Sequence, residues 1–125
     1  MKAIHTNNAP AAIGPYSQAI EVNGFIFASG QIPIDPSTGN FVEGGIKEQT
    51  KQAITNAKNI LKEAGTDLAH VVKTTVYLAN MADFAAMNEV YATFFQQPFP
   101  ARSAVAVKYL PKGALVEVEV LAYKG

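Results

Sequence analysis

Two charged residues stand out because each sits in an otherwise apolar, strand-like stretch. Arg102 opens the run FPARSAVAV, Phe99 to Val107, and Glu117 lies in the alternating run ALVEVEVLAY near the C-terminus. An arginine presents a planar fork that holds a carboxylate through two parallel charge-assisted hydrogen bonds. A glutamate in a partly dry pocket holds and deprotonates a water, and later returns the proton. The small neighbours Ala104 and Ala106 leave room for a ligand beside Arg102. Side chains alternate between the faces of a strand. If the two terminal strands pair as a hairpin through LPKG, Arg102 and Glu117 fall on a common face. The residues alone leave two plainer readings open: a structural Arg–Glu ion pair, or two unrelated exposed charges.

Other polar groups could join such a pair. Tyr16 and Ser29 bracket the first hairpin and offer hydroxyl hydrogen bonds to a small polar ligand; each also reads as a turn or edge residue. Gly30 permits close backbone approach, and its amide could meet a carboxylate or developing negative charge. Asn88 lies on the second helix, between the apolar positions Met87 and Val90, and reads either as a ligand contact or as a solvated or helix-interface amide. His5 and His70 are isolated, with no partner at helical spacing and no acid cluster, so no metal site is expected. Ser17, Ser29, Ser37 and Ser103 have no histidine within local reach. The glycines of VEGGIKE lack the Gly-Lys-Ser/Thr ending of a phosphate loop. There is no cysteine, which excludes disulfides, thiolate nucleophiles and thiolate–metal sites.

These groups need elements to position them. The 125 residues suit one domain with one core, residues 1–125. Hydrophobic residues make up 49% and charged ones 16%, the balance of an ordinary globular chain. Ten basic residues match ten acidic ones, so the basic excess that drives phosphate gripping is absent. That argues against nucleic acid and anionic membrane as partners. No apolar leader or membrane-length run is visible, and the expected location is cytoplasmic.

SQAIEVNGFIFASGQI predicts a β-hairpin turning at Asn23-Gly24, which accept the positive φ of a type I′ turn. Pro33 is expected to mark the strand's end. Residues 45–64 carry apolar side chains at three- and four-residue spacing and predict a helix closed by Gly65. HVVKTTVYLA, β-branched and aromatic, predicts a strand. A second helix is expected over Ala82–Phe95, with Phe84, Met87, Tyr91, Phe94 and Phe95 inward, capped by Asn80 and stopped by Pro98 and Pro100. Of the two terminal strands, the valine-bearing sides are expected to meet the helices. Those sides carry Ser103, Val105, Val107 and Tyr109 in one strand and Val116, Val118 and Val120 in the other. The opposite sides mix charge with small or apolar residues, too apolar for solvation and too charged for a core. An oligomer interface containing a polar pocket satisfies both.

The chain resembles the RidA family, formerly called YjgF. The pieces APAAIGPYSQA, FASGQIPIDP, IKEQTKQAITNAKNIL, VVKTTVYLANMADFAAMNEVYATFF, PFPARSAVAV and LPKGALVEVEV occur in family order and cover nearly the whole chain. The combination of IGPYSQ, SGQIP and PARS is the specific part. The resemblance implies a chorismate-mutase-like α+β fold, a six-stranded mixed sheet with two helices on one face. It implies a homotrimer with sheets inward and a site in each cleft between subunits. The implied activity is hydrolytic deamination of reactive 2-imino and enamine acids to 2-keto acids and ammonia, as a cofactor-independent 2-iminobutanoate/2-iminopropanoate deaminase. In that reading Arg102 matches the arginine that binds the substrate carboxylate. Glu117 matches the glutamate that activates water, and Tyr16, Ser29, Gly30 and Asn88 match residues lining the cleft. Many members carry a cysteine two residues after the arginine; this chain has Ala104. Two rival readings are a ribonuclease or translation inhibitor, disfavoured by the neutral charge, and a non-catalytic carboxylate-binding regulator or chaperone-like module.

Overall fold

In the computed structural model, which describes residues 1–125, three strands, a helix, a strand, a second helix and two further strands follow one another along the chain. They are β1 (Lys2–Ile4), β2 (Ala19–Val22), β3 (Phe25–Ala28), α1 (Ile46–Ala64), β4 (Val71–Leu78), α2 (Phe84–Phe94), β5 (Ala101–Ala106) and β6 (Val116–Tyr123). The strands form one mixed sheet in the order β1-β2-β3-β6-β4-β5. This is the expected α+β architecture.

The hairpin β2–β3 turns at Asn23 and Gly24, with φ of 50° and 79°, as a type I′ turn requires. α1 starts at Ile46. Its first turn is held by Glu48, whose Oε1 accepts from the Gly45 N–H at 2.9 Å, a negative charge at the favourable end of the helix dipole. Gly65 ends it in the left-handed region with φ 88°. Asn80 caps the second helical segment as expected, its Oδ1 accepting from the Ala82 N–H at 2.9 Å. A short 3₁₀ turn, Met81–Asp83, precedes α2.

Both helices lie on one face of the sheet. Ala53, Ile54, Ala57, Ile60 and Leu61 of α1 and Met87 of α2 are buried against Val76, Leu78, Val116, Val118 and Ala122. Each fully buried valine contributes about 1.5–2 kcal/mol relative to exposure. No helix is long and apolar enough to cross a membrane.

Three expectations change. First, β1 is an additional edge strand paired with β2, which the hydrophobic pattern of KAI is too short to reveal. Second, the hairpin's second strand ends at Ala28 rather than near Pro33, and the chain rejoins β6 through a single bridge from Gln31 to Val118. Third, β5 and β6 do not form a terminal hairpin. β4 lies between them, parallel to β5 and antiparallel to β6. The reason is the pair of helical crossovers. α1 carries the chain from β3 to β4 and leaves one strand position between them; α2 carries it from β4 to the outer position. β6 fills the vacant central slot, where both of its edges are paired.

That topology reverses the face of β5. Arg102 pairs with Thr74, which is buried under α2, whereas Val105 pairs with Tyr77 on the open face. The valines of β6 do meet the helices, but Val105 stays 45% exposed. The open face carries Phe25, Phe27, Tyr123 and Val105 alongside Glu117 and Glu119.

Candidate functional site

The sequence-derived site residues separate into two clusters on opposite faces of the sheet. Arg102 and Asn88 form the first. Glu117, Gly30 and Tyr16 form the second. Cross-strand partners share a face, and Arg102 is level with Thr74 while Glu117 is level with Tyr77, three residues further along β4. Two strand spacings and three residue rises separate their Cα atoms by about 14 Å. The common face expected from a terminal hairpin is therefore absent, and an Arg102–Glu117 ion pair within one chain is excluded.

The first cluster is built by β5 and α2. Phe84, Asn88 and Tyr91 recur at four- and three-residue spacing, which puts them on one helix face. Arg102 Nη1 donates to Asn88 Oδ1 at 2.6 Å. The guanidinium carbon lies 4.7 Å from the Tyr91 ring centroid and 5.5 Å from that of Phe84. Tyr91 is itself fixed: its hydroxyl and that of Thr74 are 2.8 Å apart, and its ring stacks on Phe95 at 4.4 Å. Burial pushes the Tyr91 phenol up, against the opposing pull of the Thr74 hydrogen bond and the Arg102 charge. A cavity of about 420 Å³ opens over Arg102, lined by Asn88, Tyr91, Ala92, Phe99 and Pro100.

The second cluster is built where β3 leaves the sheet. Between the Phe27–Leu121 pair and the Gln31–Val118 bridge, four steps along the first chain segment match three along β6. The extra residue is a β-bulge, a device that re-aims groups beside sites. It brings Gly30 against Glu117. A Cβ on Gly30 would stand 2.8 Å from Glu117 Cδ, so only glycine leaves this space to the carboxylate. The Gly30 N–H takes no partner within the chain. Ser29 sits beside them but turns away, its Oγ donating to the Ser17 carbonyl at 2.7 Å. A cavity of about 540 Å³ is lined by Glu117, Gly30, Tyr16, Ile13, Ile32 and Lys112, among others. Burial, and then the charge of Glu119, hold the Glu117 carboxyl above the usual glutamate range. A base with a raised affinity for protons, next to an apolar wall, is suited to taking a proton from water.

Comparison with known proteins identifies the family. The family described as Endoribonuclease L-PSP matches residues 6–124. The chain belongs to the RidA/YjgF family. It is 59% identical over 123 residues to a RutC family protein of Pyrococcus abyssi, covering 98% of this chain and 97% of that protein. It is 54% identical over 124 residues to the mouse protein named 2-iminobutanoate/2-iminopropanoate deaminase, covering 99% and 92%. Its fold superposes on the crystal structure of a putative endoribonuclease from Thermotoga maritima with a TM-score of 0.97. Those two chains are 47% identical, and the match covers 100% of this chain and 98% of that one.

As a RidA-family chain, it has site neighbours that sequence reasoning assigned elsewhere. Phe84 and Tyr91 were expected only as part of the inward apolar stripe. Their spacing around Asn88 is the signal that links them to Arg102. Tyr77 escapes notice because its proximity to Glu117 depends on β4 lying beside β6, whereas Glu119, two residues along β6, shares the face of Glu117 by strand alternation alone. The Tyr77 phenol is pushed up by burial and by the charges of Glu119 and Glu117. Ala104, at the position where many relatives carry cysteine, packs half-buried against the core.

Proposed function

We propose that this chain is a cytoplasmic, cofactor-independent 2-imino acid deaminase, acting as a homotrimer on 2-iminopropanoate, 2-iminobutanoate and the enamine 2-aminoacrylate. The observation that carries the reading is the separation of two complementary half-sites. An arginine with no acid partner faces one side of the sheet, and a desolvated glutamate faces the other. A complete site then takes Arg102 from one subunit and Glu117 from its neighbour.

The chemistry follows from the substrate. Its single carboxylate docks on the Arg102 fork. Glu117 accepts a proton from water, and the hydroxide oxygen bonds to the electrophilic C=N carbon while the C=N π electrons move to nitrogen. Glu117 returns the proton to that nitrogen, the C–N bond breaks, and ammonia leaves. The hydroxyl proton passes to the leaving amine, directly or through solvent, which makes it ammonia, and a 2-keto acid remains; 2-aminoacrylate enters the same path once it has tautomerised to its imine. On this reading the Gly30 N–H and the Tyr16 hydroxyl, which line the cavity with Glu117, orient the water and the developing charge.

Mixing two inactive variants tests the shared site. Arg102→Ala and Glu117→Gln should each lose activity as pure trimers. After dissociation and reassembly at equal amounts, random trimers should recover about a quarter of the wild-type rate, because some clefts then join an intact Arg102 to an intact Glu117. No recovery in reassembled mixed trimers would refute a site divided between subunits.

A further inference from the structure

Arg102 is half-buried, yet every group that fixes it is uncharged. Its partners are the Asn88 amide oxygen and the faces of Tyr91 and Phe84. The orientation of the amide is set by chemistry: a guanidinium only donates, so the atom 2.6 Å away must be the acceptor oxygen. The three ion pairs of the chain are Lys47–Glu89, His70–Asp67 and Lys124–Glu21, and Arg102 takes part in none. Glu89, the acid next to Asn88 in sequence, is exposed and points to Lys47 at 3.2 Å. A carboxylate is the ordinary partner for a guanidinium in such a place, since it adds an opposite charge and meets the fork with two parallel hydrogen bonds.

We infer that Asn88, Tyr91 and Phe84 form a charge-neutral clamp, positioning residues that fix the guanidinium plane while leaving its charge for the ligand. The inference rests on the reading of Arg102 as the carboxylate anchor. A carboxylate tethered at position 88 would compete for the fork at an effective concentration far above that of a free metabolite. An amide holds the same geometry without competing. The aromatic faces add attraction in the same way, through a ring quadrupole that occupies no donor of the fork. The Thr74 hydroxyl and the Phe95 ring hold Tyr91 from behind, so the platform is rigid.

The deciding substitution is Asn88→Asp, which keeps the shape and adds one negative charge. The probe is 2-oxobutanoate, the stable product, titrated by calorimetry into the assembled protein, with imine turnover and melting temperature measured on the same samples. The clamp predicts a dissociation constant and a KM at least tenfold higher than wild type, kcat within about threefold, and a melting temperature no lower. Asn88→Ala, which removes a tether without adding charge, should weaken binding less than Asn88→Asp does. Ala92→Asp places the same charge on the same cavity from an exposed position one turn along α2. It should also weaken binding, and it decides the matter if Asn88→Asp does not fold. Wild-type affinity in the folded aspartate variants, with affinity lost in Arg102→Ala, would overturn the clamp and leave the anchor standing. Wild-type affinity in Arg102→Ala would overturn the anchor itself.

Discussion

Replacing Gly30 by alanine tests the placement of Glu117 with one methyl group. The new Cβ would lie 2.8 Å from Glu117 Cδ and 3.1 Å from Cγ, and nearer still to Oε2. Carbon atoms in contact settle at about 3.5–4.0 Å, so the carboxylate must retreat by about 1 Å. Gly30 is outside the left-handed region, and its backbone accepts alanine without strain. Only a flexible side chain has to move, so the stability change should stay within about 1 kcal/mol. Catalysis is less tolerant. A displacement of about 1 Å at a reacting group is worth about 100-fold in rate. Gly30→Ala should therefore lose about 100-fold in kcat while binding 2-oxobutanoate nearly as well as wild type, because on the proposed reading the ligand's carboxylate is held by the partner subunit's Arg102, whereas the new methyl displaces Glu117. The assay generates imine with an amino-acid oxidase and traps what survives with semicarbazide. Gly44→Ala is the matched control. Its Cβ would stand 2.6 Å from Glu48 Cγ at a φ of 112°, so it should lower the melting temperature and spare the rate. A folded Gly30→Ala protein turning over at the wild-type kcat would remove Glu117 from the role of base.

Glu117→Gln should separate rate from stability. The folded-state pKa of Glu117 is raised, first by burial and then by Glu119. Its contribution to stability is therefore present below the unfolded pKa and lost as pH rises through the folded one. The glutamine variant should melt higher than wild type at neutral pH, and the difference should vanish below about pH 4. Turnover should fall by about 10²–10⁴-fold, and the wild-type kcat/KM profile should lose activity on its acid side at a pH above the usual glutamate range. Asn56→Ala should cost about 2–3 kcal/mol in denaturant unfolding, because buried Asn56 Nδ2 serves the carbonyls of Ile32 and Ile34 at 3.2 and 2.9 Å. The same variant should raise KM, since both isoleucines line the Glu117 cavity.

Local signals were legible in proportion to how local their causes are. The Asn23-Gly24 turn, the α1 stripe, the Gly65 cap and the Asn80 cap depend on residues within a few positions of one another, and each is found where its spacing predicts. The face of β5 was misread because it depends on which strand lies beside it. SAVAV reads as an inward valine strand only if β6 is its neighbour. Beside β4, the register with Thr74 turns Arg102 and Ala104 toward α2 and leaves Val105 outside. Arg102 and Glu117 stood out as residue types at odds with their strands, whereas their relation to each other was set by strand order. The bulge at Gly30 has no local signature beyond a glycine after a strand, because it is defined by its match to β6.

Strand order also ties the proposed activity to assembly. The alternation of a single strand, β4, sends Thr74 and Arg102 to one side and Tyr77 and Glu117 to the other, and no rotamer change brings the two charges together. A lone chain thus offers an anchor without a base and a base without an anchor. The same chain leaves Phe25 and Phe27 45% and 49% exposed on the open face that also carries Glu117. On the proposed reading these rings belong to the surface that a neighbouring subunit covers. Covering it with a second copy desolvates Glu117 further, which strengthens its hold on a proton. On the proposed reading, one packing event buries the exposed phenylalanines, tunes the base and delivers the neighbour's arginine. Uncharged clamping of that arginine is then what keeps it available until the substrate's carboxylate arrives.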